Sequence, residues 1–166
     1  MRGTDKFLIG IAIGALLLVV VTFVVVLLQP EPEFRPEATA DDVVHNYLLA
    51  LQKGEYERAL SYINPKYCPE DVEEFVEDIN VICRWDFRLL DRAISQIVEP
   101  AQVTGKRATV NVQQSVFLSG DLFDSGQQGY NFKMSLVTED GKWKIVDGDE
   151  YWCYCWNEDD DFCRSD

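Results

Sequence analysis

The chain has 166 residues, 47% of them hydrophobic, and a formal net charge of −14. That length leaves room for one domain of ordinary size with a core of its own. Past residue 30 the balance is 13 Lys/Arg against 28 acids, or −15, with no basic patch, which argues against nucleic acid and anionic lipid headgroups as partners.

Residues 1–6 are a short stub carrying Arg2 and Lys6. Phe7 to Leu28 (FLIGIAIGALLLVVVTFVVVLL) follows, 22 residues without a charge, in which Thr22 is the one clearly polar side chain. As a helix such a run is about 33 Å long, enough to cross a hydrocarbon core of about 30 Å. A cleaved secretory signal has a shorter apolar region and a small-residue cleavage site. This run instead leads into Gln-Pro-Glu-Pro-Glu, and no cysteine near it suits a lipoprotein-type anchor. The reading is an uncleaved signal anchor and therefore a single-pass protein of the cell membrane. Arg2 and Lys6 on one flank, against one Arg35 among five acids in QPEPEFRPEATADD, place the amino terminus in the cytoplasm and the remainder outside it. Gly10 and Gly14 form a small-xxx-small pair that offers a homodimer contact. Glycine is also common in membrane helices, and that plainer reading is preferred.

Residues 29–38 (QPEPEFRPEA) read as an extended, proline-stiffened spacer. The extracytoplasmic domain covers 39–156, and 157–166 is an acidic tail. Thr39 is placed to cap a first helix whose stripe is Val43, Val44, Tyr47, Leu48 and Leu51, with Gly54 as its stop. His45, the one histidine, falls on the polar side of that stripe and reads as a surface residue. A second helix spans Glu55–Ile63 and stops at Asn64-Pro65. A third begins near Pro69 and carries Val72, Phe75, Val76, Ile79, Ile82 and Cys83 on its apolar side. Its acidic side, Glu73, Glu74, Glu77 and Asp78, reads as solvated and not as a metal site.

After Arg84-Trp85-Asp86-Phe87 the pattern shifts toward alternation. Strands are predicted near Ala93–Val103, Lys106–Leu118, Gly129–Thr138 and Lys142–Trp156. Pro100 marks the first as an edge strand or a bulge. Asp140-Gly141 is a hairpin signal between the last two, and Ser119–Gln128 is the longest loop. In the closing WCYCW, period two puts Trp152, Tyr154 and Trp156 on one face and Cys153 and Cys155 on the other.

All five cysteines, Cys68, Cys83, Cys153, Cys155 and Cys163, lie past the anchor. Outside the cytoplasm they read as disulfide partners, with at least one left over. Cys68 and Cys83, flanking one continuous helix, are about 22 Å apart, too far for a bond that needs Cα atoms within about 7 Å. The expectation is up to two bridges, each from the Cys68/Cys83 helix to the Cys153/Cys155/Cys163 segment. No cofactor or metal is called for: Asp147, Asp149 and Glu158 match positions of a calcium loop, but Tyr151 and Trp152 stand where an acid or amide and a glycine belong. Nucleophile-elbow, phosphate-loop, HExxH and dinucleotide glycine patterns are absent.

Helices followed by a long antiparallel sheet make the chain α+β. Its opening, DDVVHNYLLALQKGEYERALSYI, resembles the first helices of the nuclear transport factor 2-like superfamily. Its hairpin YNFKMSLVTEDGKWKIVDGDEYW resembles that superfamily's last two strands. The resemblance implies a curved sheet wrapped round a helix as a cone with one open end. It implies little about function, since the superfamily holds isomerases, dehydratases, ligand carriers and non-catalytic envelope domains. A cone enzyme sets an acid or histidine among aromatic walls. If alternation holds from Trp143, Asp147 faces inward as a candidate general base. The favoured reading is a non-catalytic interaction or ligand-binding domain of unnamed specificity. The alternatives are an envelope assembly subunit like those of type IV secretion machines, and a cone-cavity enzyme using Asp147.

Overall fold

Uninterrupted apolar sequence folds at its own start into α1, Thr4–Leu27, 24 residues long. The computed structural model describes residues 4–28, 32–67, 69, 71–87, 90, 94–118 and 126–156, and the chain divides into two units, Met1–Glu33 and Phe34–Asp166. Side chains in α1 are described for residues 9–24, all of them exposed. Thr22 Oγ1 donates to the Leu18 carbonyl at 2.8 Å, so the one polar side chain is satisfied within the helix. Among the described residues no helix is long and apolar enough to cross a membrane. Cys68, Cys163, residues 119–125, the side chain of Leu118 and the tail at 157–166 lie outside the described residues.

In the second unit, α2 is Ala40–Lys53. Its start is a reciprocal cap: the Asp42 N–H donates to Thr39 Oγ1 and the Thr39 N–H donates to Asp42 Oδ2, each at 3.3 Å. Its end is Gly54 at φ 68°, a left-handed position where any side chain is strained. The expected stripe, Val43, Val44, Tyr47, Leu48 and Leu51, is buried. Asn46 is buried with it and holds the backbone of Arg35 on both sides, accepting its N–H at 2.7 Å and donating to its carbonyl at 2.9 Å. Phe34 packs against the core under the Arg58 guanidinium, 3.5 Å from the ring centre. The next helix, α3, is Tyr56–Tyr62. It ends by joining the sheet: the Asn64 N–H donates to the Ile145 carbonyl at 2.8 Å.

The third helix of this unit departs from the expected one. Asp71, not Pro69, opens it, its carboxylate accepting the Glu74 N–H at 2.9 Å, and α4 runs only over Val72–Glu77. It continues as a π-helical turn, Asp78–Ile82, closed by the Cys83 N–H donating to the Asp78 carbonyl at 2.7 Å. The extra residue in a π turn rotates the residues after it out of the 3.6-residue register. Ile82, assigned to the apolar stripe by its spacing, is 44% exposed and Val81 68%, while Ile79 and Cys83 stay buried.

Among the described residues five antiparallel strands follow: β1 Ile94–Val98, β2 Gln102–Thr104, β3 Arg107–Leu118, β4 Gly126–Glu139 and β5 Lys142–Gly148. They form one sheet in the order β1-β3-β4-β5, with β2 beside β3. The first expected strand is split where Pro100 offers no N–H to the ladder. Asp140 (φ 49°) and Gly141 (φ 79°) make the two-residue turn between β4 and β5 as expected. Val110, Val112 and Val116 of β3, Phe132, Met134 and Leu136 of β4, and Ile145 of β5 are buried in one core with α2.

The fourth expected strand stops at Gly148, and WCYCW is not a strand. Tyr151 adopts φ 55° and turns the chain inward, so Tyr151, Trp152 and Cys153 are buried in succession. Tyr154–Trp156 form a single 3₁₀ turn. The aromatic residues therefore do not share a face: Trp152 is buried, Tyr154 is exposed and Trp156 half-buried. The Tyr151 hydroxyl donates to Gln114 Oε1 at 2.9 Å, and its carbonyl accepts from the Tyr47 hydroxyl at 2.6 Å. Gln96 Nε2 adds a second donor to Gln114 Oε1 at 2.7 Å. Tyr47, Tyr151, Gln96 and Gln114 thus satisfy one another, while Trp152 Nε1 is buried without a partner among the described residues.

Candidate functional site

The space a cone would leave open is occupied. Tyr47, Phe75, Phe87, Phe132, Tyr151 and Trp152 are all buried between the helices and the sheet. Phe132 and Phe87 lie with ring centres 5.7 and 6.2 Å from that of Tyr151. Among the described residues the buried polar side chains are Asn46, Asn64 and Gln114, with no carboxylate or histidine. Burial raises the Tyr47 phenol well above its ordinary value and pushes Tyr151 up to about 12. Both are neutral hydrogen-bond donors here, not bases. His45 is half-buried on α2.

Asp147 does not face the interior. Leu136 pairs with Ile145, but the next pair along is Ser135 with Asp147, leaving Val146 as an extra residue in β5. A bulge of one residue reverses the parity of everything after it. Asp147 therefore shares the outer face with Ser135, is exposed, and accepts the Gly148 N–H at 2.9 Å. It borders a surface cavity of about 480 Å³ whose charged members are Lys66, Arg107, Glu139 and Asp147 itself. Mixed charge in contact with solvent supplies no desolvated base.

Of the cysteines, Cys83, Cys153 and Cys155 come together among the described residues. Cys83 is bonded to Cys153, with Cα atoms 5.3 Å apart and 70 residues between them in sequence. In the chain-entropy view a loop of that length contributes about 4 kcal/mol. Cys155 is disulfide-bonded as well. The sulfurs of Cys83, Cys153 and Cys155 lie within 4.8 Å of one another, so they form one cluster where the π turn meets the closing segment. Beside it, Trp156 Nε1 donates to Asp78 Oδ2 at 2.7 Å. Burial raises the Asp78 carboxyl above its ordinary value of 3.8, against the lowering effect of that hydrogen bond and helped by Glu74 and Glu77.

A second cavity, of about 460 Å³, opens beside the π turn. It is lined by Tyr56 of α3, Ile79 and Asn80 of the turn, and Arg84, Trp85, Phe87 and Leu90 just after it. No described sheet residue lines it. Its walls mix aromatic and aliphatic side chains with polar surface, and its size falls within the range of small-molecule sites. Trp85 is 79% exposed, the most exposed large hydrophobic side chain among the described residues. By its sequence this stretch reads only as the boundary between helices and strands. The overlooked signal is the composition of RWDFRLLDR, residues 84–92, which places three arginines around a tryptophan in a strongly acidic domain.

No protein-family model matches the chain, and no curated protein matches it. Among solved structures it is similar to a SEC-C motif-containing protein from Rhodopseudomonas palustris (16% identity, 71% of this chain and 83% of that chain, TM-score 0.49). It is also similar to a candidate ketosteroid isomerase from Shewanella frigidimarina (18% identity, 66% and 93%, TM-score 0.48). A third likeness is to an NTF2-like protein with a cystatin-like fold from Novosphingobium aromaticivorans (13% identity, 65% and 75%, TM-score 0.45). The α+β class rests on the observed elements themselves: helices followed by one antiparallel sheet.

The Asp78 environment has a testable consequence. Because its carboxyl holds its proton more tightly folded than unfolded, this group's effect on stability is most favourable below pH 3.8 and worsens as pH rises through the raised folded value. Asp78→Asn keeps an oxygen acceptor for Trp156 Nε1 and loses the charge. Urea midpoints should show the variant more stable than the parent near neutral pH, with the gap closing in acid. A gap that persists or widens in acid would rule the assignment out.

Proposed function

We propose that the chain is a single-pass membrane protein whose second unit is a nuclear transport factor 2-like domain on the extracytoplasmic side, acting by binding and not by catalysis. What carries the binding reading is the location of space. Tyr47, Phe132 and Tyr151 are buried against one another and the sheet, while an open cavity with aromatic and polar walls lies beside Trp85. A catalytic reading needs an ionisable group in a desolvated pocket, and Asp147, the candidate for that role, is exposed on the outer face.

The anchor is supported by the uncharged run Phe7–Leu28, which extends past the part of α1 whose side chains are described. A helix apolar on every side has no face to turn toward water. The flanking charges favour a cytoplasmic amino terminus, and the Cys83–Cys153 bridge fits an oxidising compartment.

Two measurements test this. The full chain should stay with membranes washed in alkaline carbonate, and its carboxyl-terminal unit should be cut by protease added to the non-cytoplasmic side. Release into the wash, or protection from that protease, contradicts the topology. For the binding reading, 2-naphthamide, a flat neutral compound, is titrated calorimetrically into the full chain in phosphatidylcholine nanodiscs against empty discs. One saturable site is expected, weakened about tenfold by Trp85→Ala. No saturable heat above the blank overturns it.

A further inference from the structure

We infer that the cavity beside Trp85 takes a small organic anion, a carboxylate on a flat apolar body, with Arg84 holding the carboxylate and Trp85 covering the body. The inference rests on the binding reading above and gives that site its ligand class.

The walls set the shape of the body. Tyr56, Trp85 and Phe87 present aromatic surface, and Ile79 and Leu90 aliphatic surface. Rings prefer to stack offset or edge-on against such surfaces. The π turn contributes to the opening, because its extra residue turns Val81 and Ile82 outward next to the cavity wall formed by Ile79 and Asn80. Such turns recur at functional sites.

The head group is set by charge. Two polar side chains line the cavity, Asn80 and Arg84, together with the Tyr56 hydroxyl. Asn80 Nδ2 already donates to the Val76 carbonyl at 2.8 Å. Among the described residues the one ion pair is Arg58 with Glu55, so Arg84 is not committed to a carboxylate among them. Residues 84–92 hold three arginines and two aspartates. The rest of the chain past residue 30 holds 10 Lys/Arg, from 13 − 3, and 26 acids, from 28 − 2. This stretch is thus locally positive in an acidic surround. Long-range attraction of an anion is excluded by that surround, and recognition has to be a short-range, hydrogen-bonded contact. A guanidinium offers a planar fork that matches a carboxylate's two oxygens. Cys83, bonded to Cys153, is buried immediately before Arg84, and the Tyr151 N–H donates to the Asp86 carbonyl at 3.3 Å, so the backbone bearing Arg84 and Trp85 is fixed at both sides.

The test pairs two ligands of the same shape. 2-Naphthoate and 2-naphthamide are titrated into the full chain in phosphatidylcholine nanodiscs, with the parent and with Arg84→Gln, an exposed position, and melting curves check that the variant is folded. The expected result is that naphthoate binds about tenfold more tightly than naphthamide, and that Arg84→Gln brings the two affinities together. Equal binding of both compounds to the parent, or a preference that survives in Arg84→Gln, overturns the anion assignment while the binding reading stands. Saturable binding by neither compound overturns both.

Discussion

The second unit depends on Tyr151 being turned into the concave side of the sheet. A tyrosine at φ 55° stands in a region that bulky side chains rarely adopt, at a cost of about 1–3 kcal/mol. The strain is offset by the contacts that the turn delivers. The ring is fully buried against Phe87 and Phe132, burial of the kind that contributes about 2–3 kcal/mol for a large side chain. The hydroxyl reaches Gln114 and the carbonyl takes the Tyr47 hydroxyl, so α2, β3 and the closing segment share one hydrogen-bond network. Lost partners in such a network leave buried groups unsatisfied, which is why it acts as a unit.

This plug organises the rest of the unit. Trp152 and Cys153 are carried inside after Tyr151, which brings Cys153 to Cys83 at the end of the π turn. The same closing segment sets Trp156 against Phe75, ring centres 5.4 Å apart, and against Asp78. With the interior packed and cross-linked, space for a ligand is left beside Trp85, next to the loop that the bridge and the Asp86 carbonyl hold in place. The cavity beside Trp85 therefore sits on a supported backbone segment, as a binding site requires.

Features with a local cause were legible in the sequence. Thr39 and Asp42 form the cap and Gly54 the stop of α2 because each satisfies end groups of its own helix. Asp140-Gly141 turns the hairpin because both positions need positive φ. The pairing of Cys83 with the closing segment was expected from the length of one continuous helix, and that helix begins only at Val72. Single-residue slippage was not. The π turn at Asp78–Ile82 and the extra Val146 each insert one residue, and neither leaves a mark on a periodic pattern. The first moved Ile82 to the surface and the second moved Asp147 to the outer face. WCYCW mimics a strand because period two is also what alternating aromatic residues and cysteines look like when the chain reverses. The candidate site fell in RWDFRLLDR, which has no periodicity to read. Its signal was composition, a tryptophan among arginines in an acidic domain.

The central claim is that Tyr151 plugs the interior and holds the domain together. It is tested most directly by urea unfolding of Tyr151→Ala in the full chain in nanodiscs, followed by tryptophan fluorescence. The expected loss is about 3–5 kcal/mol, the range for removing a large aromatic side chain from a core. A loss under about 1 kcal/mol, the size of a surface substitution, would contradict it.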